Sequence, residues 1–124
     1  MGVLAVVLTA PACSGGSETE NPYRLAASGL CEASTKAETG DASGAGEVFY
    51  DIVHQPLHDL AAETSEVDRA VAARLLEAKE AVESGFDTNQ PDLNEDFRAL
   101  VVATDEALAA TGHDPLACSS SEGS

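Results

Sequence analysis

Apolar residues recur at intervals of three and four in four separate stretches of this chain, and this spacing most constrains its fold. The clearest stretch carries Val67, Val71, Leu75, Ala78 and Val82. Such spacing places the apolar side chains along one side of an α-helix. Much of the apolar content is alanine, aromatic residues make up only 4% and Trp is absent. This composition favours closely packed helices over a β-sandwich.

The four stretches predict helices over residues 22–38, 45–63, 65–85 and 91–111. Ser65 followed by Asp68 resembles a capping box at the start of the third helix, and Gly85 is the expected stop at its end. The inward-facing residues expected on the other three helices are Tyr23, Ala26 or Ala27, Leu30, Ala33, Ala37, Phe49, Val53, Leu57, Leu60, Leu93, Phe97, Leu100, Val101, Thr104 and Leu108. Gly29 is expected to weaken the first helix by about 1 kcal/mol relative to alanine. Short connections favour antiparallel neighbours, so we predict an all-α fold, an up-down-up-down four-helix bundle over residues 22–118.

A stripe of polar residues runs beside the apolar face of the second predicted helix. It consists of Glu47, Asp51, His54 and His58, at spacings of four, three and four residues. On a regular helix these carboxylates and imidazoles line up on one side. Pro56 removes the amide that would bond the Ile52 carbonyl, so we expect a kink or short break near Gln55.

His54 and His58 form the candidate metal site. Histidines four residues apart on a helix lie about 6 Å apart along its axis and can share one metal ion. Asp51 would add a third ligand or orient an imidazole, and His113, after the fourth helix, would complete the set. Glu47 lies too far up the helix to join directly. Neutral imidazole together with carboxylate suits zinc, copper, nickel or iron.

Two simpler interpretations of the same stripe stay open. In one, Asp51 and Glu47 pair with partly charged histidines on a solvated flank of the bundle. In the other, the histidines act as a pH switch, because imidazoles near carboxylates titrate around neutrality. The His-Glu-x-x-His motif of zinc proteases is absent, since Gln55 follows His54. The sequence also lacks nucleotide-binding glycine patterns and a Gly-x-Ser-x-Gly elbow, so we expect no enzyme and assign no catalytic residue.

The charge balance excludes one class of partner. The chain has 6 Lys and Arg against 22 Asp and Glu, for a net charge of −16. Nucleic acid would be repelled, because binding it requires basic groups that displace counterions. The acidic surface either keeps the protein soluble or attracts cations and basic partners.

The N-terminal residues have the pattern of an export signal. Residues 3–10 are a short apolar run, too short for the roughly 20 residues that span a bilayer. No Lys or Arg precedes this run, so we expect the true start codon to lie upstream of Met1. Ala10, Pro11 and Ala12 form an A-x-A cleavage site before Cys13, and the Gly- and Ser-rich residues that follow are typical of a flexible tether. These residues resemble the lipobox of bacterial lipoproteins, although Leu8 lies farther from the cysteine than usual; simple secretion is the alternative.

The three cysteines fit this interpretation. If Cys13 carries lipid, Cys31 and Cys118 remain as a pair that an oxidising compartment would allow to form a disulfide. The alternative is two unrelated thiols. In the predicted topology the end of the fourth helix lies near the first helix, which favours the pair.

The signal, the cysteine and the tether together resemble the small, Ala- and acid-rich exported lipoproteins of high-GC Gram-positive bacteria. This resemblance implies a partial signal peptide over residues 1–12 and a tether over 13–21. Residues 119–124, which follow the helical domain, are expected to form a loose tail. We therefore expect a lipid-anchored, extracytoplasmic helical binding module on the outer face of the cell membrane, with a transition metal as candidate ligand. The alternative is a structural or adaptor lipoprotein that binds another envelope protein.

Overall fold

The computed structural model describes residues 22–88, 92–116 and 118. The expected signal peptide, the tether with the lipidation residue Cys13, and the tail at residues 119–124 lie outside the described residues. Within them every regular element is helical and no strand occurs, which confirms the all-α prediction. No helix in this part of the chain combines the length and the apolar character needed to cross a membrane.

The described residues form four helices. Helix α1 is Arg24–Glu38, α3 is Arg69–Thr88 and α4 is Leu93–Ala110. Helix α2 covers residues 42–65 in three consecutive parts, which are Ala42–Val48, a π-helical turn at Phe49–Val53, and His54–Ser65. The connection before α2 turns through Gly40, whose φ of 87° suits glycine, and Asp41 then caps α2 by accepting a hydrogen bond from Gly44 N at 2.9 Å.

The helices pack around one apolar core. Helix α1 contacts α2 and α4, while α3 contacts α2 and α4 from the other side. The largest fully buried apolar side chains are Phe49, Phe97, Leu30, Leu60, Leu75, Leu100, Leu108, Val53 and Val82. All nine belong to the predicted inward-facing stripes, so the helical periodicity of the sequence correctly predicted these core residues.

Three local predictions about α3 are wrong. The helix begins at Arg69, and Ser65 is instead the last residue of α2. Asp68 caps α3 by accepting a hydrogen bond from Val71 N at 3.2 Å, because the connecting turn places its carboxylate over the free amides of the first turn. Val67 lies in that turn and is 64% exposed, although periodicity placed it in the core. Gly85 does not stop α3, which continues to Thr88 because Gly85 is buried against Leu93 of α4.

The expected break at Gln55 is also wrong, since α2 continues through it. The irregularity lies earlier, at the π-helical turn, where the backbone N–H of His54 bonds the Phe49 carbonyl. A π turn inserts one residue into a helix and shifts the faces on its two sides relative to each other. It ends just before the segment that carries Pro56, so the helix accommodates the proline without breaking.

Gly29 has a packing role that the sequence did not reveal. A Cβ atom built on Gly29 would lie 2.9 Å from Ile52 Cγ2 and 3.1 Å from Val53 Cγ2. These distances are too short for real carbon atoms, so the glycine allows α1 to approach the π-helical turn of α2 closely.

Candidate functional site

His54 and His58 lie side by side on the last part of α2. Their ring centroids are 4.9 Å apart with an interplanar angle of 79°. The ring of His54 is half-buried against α3, whereas His58 is exposed. The sequence therefore predicted correctly that the two imidazoles are neighbours, and Pro56 between them does not separate them.

Glu83 of α3 meets the buried side of the His54 ring. Its Oε2 lies 2.9 Å from Nδ1 of His54, which is an ion-pair distance when the imidazole is protonated. The geometry does not meet the requirements of a hydrogen bond, so the carboxylate of Glu83 lies close to Nδ1 of His54 without being hydrogen-bonded to it. The ring nitrogen left for an external ligand is Nε2.

Lys79 completes this cluster from one turn earlier on α3. Its side chain is only 3% exposed, and its Nζ lies 2.6 Å from the same Oε2 of Glu83. A buried ammonium requires a nearby counter-ion, because an unpaired charge away from water is very costly. Glu83 supplies that counter-ion, which makes the carboxylate a poor metal ligand and a suitable orienting partner for His54.

The sequence interpretation missed Lys79 and Glu83. Periodicity selected Ala78 as the inward-facing residue of that turn, yet Ala78 is only partly buried and its neighbour Lys79 is fully enclosed. The signal was available in the chain, because Lys79 lies four residues after Leu75 on the core stripe and four before Glu83. A lysine at that position with a carboxylate one turn later indicates a buried ion pair.

Asp51 and His113 do not join the histidine pair. Asp51 is exposed in the π-helical turn, where the inserted residue removes the alignment that regular spacing would give. In the part of the chain that the structure describes, no group of three or more His, Cys, Asp or Glu side chains is arranged to hold a metal ion. Any metal at His54 and His58 would have two protein ligands from this cluster.

His113 instead belongs to a second cluster, which lies at the C-terminal end of α2. Its Nε2 lies 3.1 Å from Oε2 of Glu63, and the Tyr23 hydroxyl donates a hydrogen bond to Oε1 of the same carboxylate at 2.8 Å. The Tyr23 and His113 rings meet edge to face, with centroids 5.0 Å apart. Since a helix rises about 1.5 Å per residue, Glu63 lies about 13 Å along α2 from His54.

The Tyr23 hydroxyl is held in its neutral form. Burial, its hydrogen bond to Glu63 and the negative charges of Glu63 and Asp59 raise the pKa of Tyr23 to about 12. The phenol therefore serves as a hydrogen-bond donor that joins the start of α1 to the end of α2. This cluster fastens the segment after α4 to the rest of the domain, a structural task.

Cys31 of α1 and Cys118 form the predicted disulfide. Their sulfur atoms are at bonding distance and their Cα atoms are 5.2 Å apart, within the usual range. The pairing of these two cysteines is thereby confirmed.

Comparison with models of protein families, with curated proteins and with solved structures found no match for this chain.

Proposed function

We propose that this protein is a lipid-anchored, extracytoplasmic binding module attached to the outer face of the cell membrane through Cys13. The disulfide supports an oxidising compartment, where such bonds persist. The export-like residues before Cys13 and the polar tether after it support an anchor, and release as a secreted protein is the alternative.

We also propose that the helices run up-down-up-down around the core. The support is the packing order, in which α1 and α3 each contact both α2 and α4. The short turns at residues 39–41 and 66–68 also favour a reversal of direction between neighbouring helices.

The ligand in this proposal is a transition metal, held by His54 and His58 without any enzymatic reaction. The observation that carries it is the geometry of the pair, with ring centroids 4.9 Å apart. Glu83 faces Nδ1 of His54, so Nε2 is the atom offered to the metal. Water or a bound partner would fill the remaining positions of a zinc, copper, nickel or iron ion.

Calorimetric titration of zinc, copper(II) and nickel into the full chain with Cys13→Ser tests this proposal. We expect binding that disappears in the His54→Ala/His58→Ala double variant. Glu83→Gln should weaken binding by about tenfold, the usual effect of losing an orienting carboxylate. His113→Ala is the matched control, since it removes a histidine from the Tyr23–Glu63 cluster and should leave binding unchanged. Equal binding by the double variant would overturn the metal proposal.

One observation favours the alternative function, that of an adaptor for another envelope protein. Val102 of α4 is 59% exposed and borders an open groove of about 490 Å³ between α3 and α4. Its other lining residues are Ala78, Ala99, Ala103, Glu77, Glu106 and Arg74, and Arg74 Nε lies 3.3 Å from Glu106 Oε1. A largely apolar groove with two carboxylates and one guanidinium in its lining suits an amphipathic helix with basic residues beside its apolar face.

Cross-linking from position 102 distinguishes the adaptor from the metal module. A photo-crosslinker there should capture a basic envelope protein, and Val102→Asp should abolish the complex. An adaptor would also be indifferent to EDTA, whereas the metal module should lose thermal stability when EDTA removes its ion.

A further inference from the structure

A pocket separate from the two histidine clusters opens where the start of α2 meets the end of α3 and the start of α4. Its volume is about 360 Å³, near the lower end of the range for small-molecule sites. The lining residues are Ala42, Ser43, Gly46, Tyr50, Gly85, Phe86 and Leu93. A space of this size fits a compact ligand with only a few heavy atoms.

Two aromatic rings form one side of this pocket. The Tyr50 and Phe86 centroids are 5.7 Å apart, with their planes inclined by 51°. Tyr50 remains 47% exposed, although large aromatic side chains are usually covered. Faces of aromatic rings attract cations within about 6 Å of the ring centre, because the ring face carries negative charge.

Two glycines also line the pocket, and each allows a neighbouring side chain to approach closely. A Cβ atom on Gly46 would lie 3.5 Å from Phe86 Cε1, and one on Gly85 would lie 3.0 Å from Leu93 Cδ1. Both glycines lie inside helices, where each costs about 1 kcal/mol relative to alanine. Any larger residue at position 46 would extend into the pocket.

Carboxylates lie near the pocket, although none belongs to its described lining, and they favour a cationic ligand. Asp96 is a neighbour of the lining residue Gly85, since its Oδ2 would lie 3.4 Å from a Cβ atom on that glycine. Burial raises the pKa of the Asp96 carboxyl, and the negative charges of Asp92 and Glu95 raise it further. Burial also raises the pKa of Tyr50, with added effects from the charges of Glu83 and Asp87. Burial is the larger cause of both shifts, and the nearby carboxylates add a negative potential that attracts cations.

We propose that this pocket binds a small organic cation with an alkylated ammonium group. The aromatic and apolar walls offer no set of ligand atoms for a metal, whereas they match the methyl-covered surface of a quaternary ammonium ion. The surrounding carboxylates supply the opposite charge without having to contact the ion directly. The pocket adjoins the proposed metal site, because the Tyr50 and His54 ring centroids are 5.6 Å apart, but neither His54 nor His58 belongs to its lining.

Choline is the probe, titrated into the full chain with Cys13→Ser in the presence of EDTA and followed by amide NMR shifts. We expect saturable shifts centred on Gly46, Tyr50, Gly85 and Phe86. The neutral isostere 3,3-dimethylbutan-1-ol has the same shape without the charge and should bind at least about tenfold more weakly, as expected when a cation–π attraction is lost. Because EDTA removes metals, the choline titration does not depend on the metal site. A failure of choline to bind can therefore be distinguished from a failure of the metal proposal.

Three variants sharpen the test. Tyr50→Ala removes an aromatic wall and Gly46→Leu fills the pocket, and both should weaken choline binding by at least about tenfold. Tyr50→Phe is the matched control, because it keeps the ring and should keep the affinity. Thermal unfolding establishes whether each variant is folded. If Gly46→Leu does not fold, Tyr50→Phe and the neutral isostere still test the proposal. Equal binding of the isostere, or unchanged binding by Tyr50→Ala, would overturn it.

The source of the cation is resolved by one further probe. Phosphocholine carries the same ammonium group together with a phosphate, as in a lipid headgroup. Weaker binding of phosphocholine than of choline indicates a free cation, while equal binding indicates a headgroup whose phosphate points to solvent. A ligand bound only through its phosphate, with no shift from choline, would contradict the proposal.

Discussion

Two buried threonines differ in whether their hydroxyl groups have a hydrogen-bond partner. Thr64 Oγ1 donates to the Leu60 carbonyl at 2.7 Å, whereas Thr104 Oγ1 has no partner among the described residues. Both side chains are enclosed, at 0% and 3% exposure. An unpaired buried hydroxyl costs about 1–3 kcal/mol, because it loses its bonds to water without replacement.

We predict opposite effects for the same substitution at these two positions. Thr104→Val keeps the shape and removes the unpaired hydroxyl, so the free energy of unfolding should rise by about 1 kcal/mol. Thr64→Val removes a satisfied hydrogen bond and should lower it by about 1 kcal/mol. Urea unfolding of both variants measures the difference. Equal losses of stability in the two variants would contradict this account of Thr104.

The charged residues on the inner side of α3 are organised around one carboxylate. Glu83 Oε2 lies 2.6 Å from the Lys79 ammonium and 2.9 Å from His54 Nδ1. A single negative charge therefore serves two nitrogen groups, one buried and one at the edge of the candidate metal site. This arrangement links the packing of α3 to the orientation of the His54 ring.

Among the helices, glycines have different roles according to what faces them. A Cβ atom placed on Gly29 would lie 2.9 Å from the side chain of Ile52 and 3.1 Å from that of Val53. The same atom on Gly46 would lie 3.5 Å from Phe86, an ordinary contact distance. Helix propensity alone favours alanine over glycine by about 1 kcal/mol at both positions.

We therefore predict that Gly29→Ala destabilises the protein while Gly46→Ala stabilises it. At Gly29 the overpacking against the π-helical turn costs about 1–3 kcal/mol and exceeds the gain in propensity. At Gly46 no clash opposes the gain, so the unfolding midpoint should rise by the equivalent of about 0.5–1 kcal/mol. Chemical denaturation followed by circular dichroism checks both. A stabilised Gly29→Ala variant would show that α1 and α2 pack less tightly than described.

The π-helical turn explains why Asp51 does not line up with His54 and His58, although the sequence places all three on one polar stripe. Asp51 lies within the turn and the histidines follow it, so the inserted residue changes their relative direction. The spacing of four, three and four residues would align these side chains on a regular α-helix, but α2 is irregular at the π-helical turn.

Across the whole molecule, the disulfide joins α1 to the segment after α4. Cys31 and Cys118 are separated by 87 positions, so the bond closes a loop that contains nearly the whole helical domain. On the chain-entropy account a loop of this length stabilises the folded state by about 4–5 kcal/mol, because it restricts the unfolded chain.

Removing this bond should therefore cause a larger loss of stability than any of the substitutions above. We expect Cys31→Ser/Cys118→Ser to lower the free energy of unfolding by up to about 4–5 kcal/mol. Urea titrations with and without reductant measure it, and reductant should not affect the double variant. If the oxidised protein and the double variant unfold at the same urea concentration, the bond does not constrain the unfolded chain in solution.

The helices, the side of each helix that faces the core and the pairing of Cys31 with Cys118 could all be predicted from the amino-acid sequence. The helices and their core-facing sides depend on periodicity, which each segment carries locally, whereas the pairing was inferred from the cysteine count and the predicted topology. The contacts across helices could not be predicted in this way, and they include Glu83 with His54, His113 with Glu63, and Tyr50 with Phe86. Such contacts depend on the rotation and axial offset of each helix in the folded protein. One π-helical turn or a small shift between neighbours changes both without altering the apolar pattern.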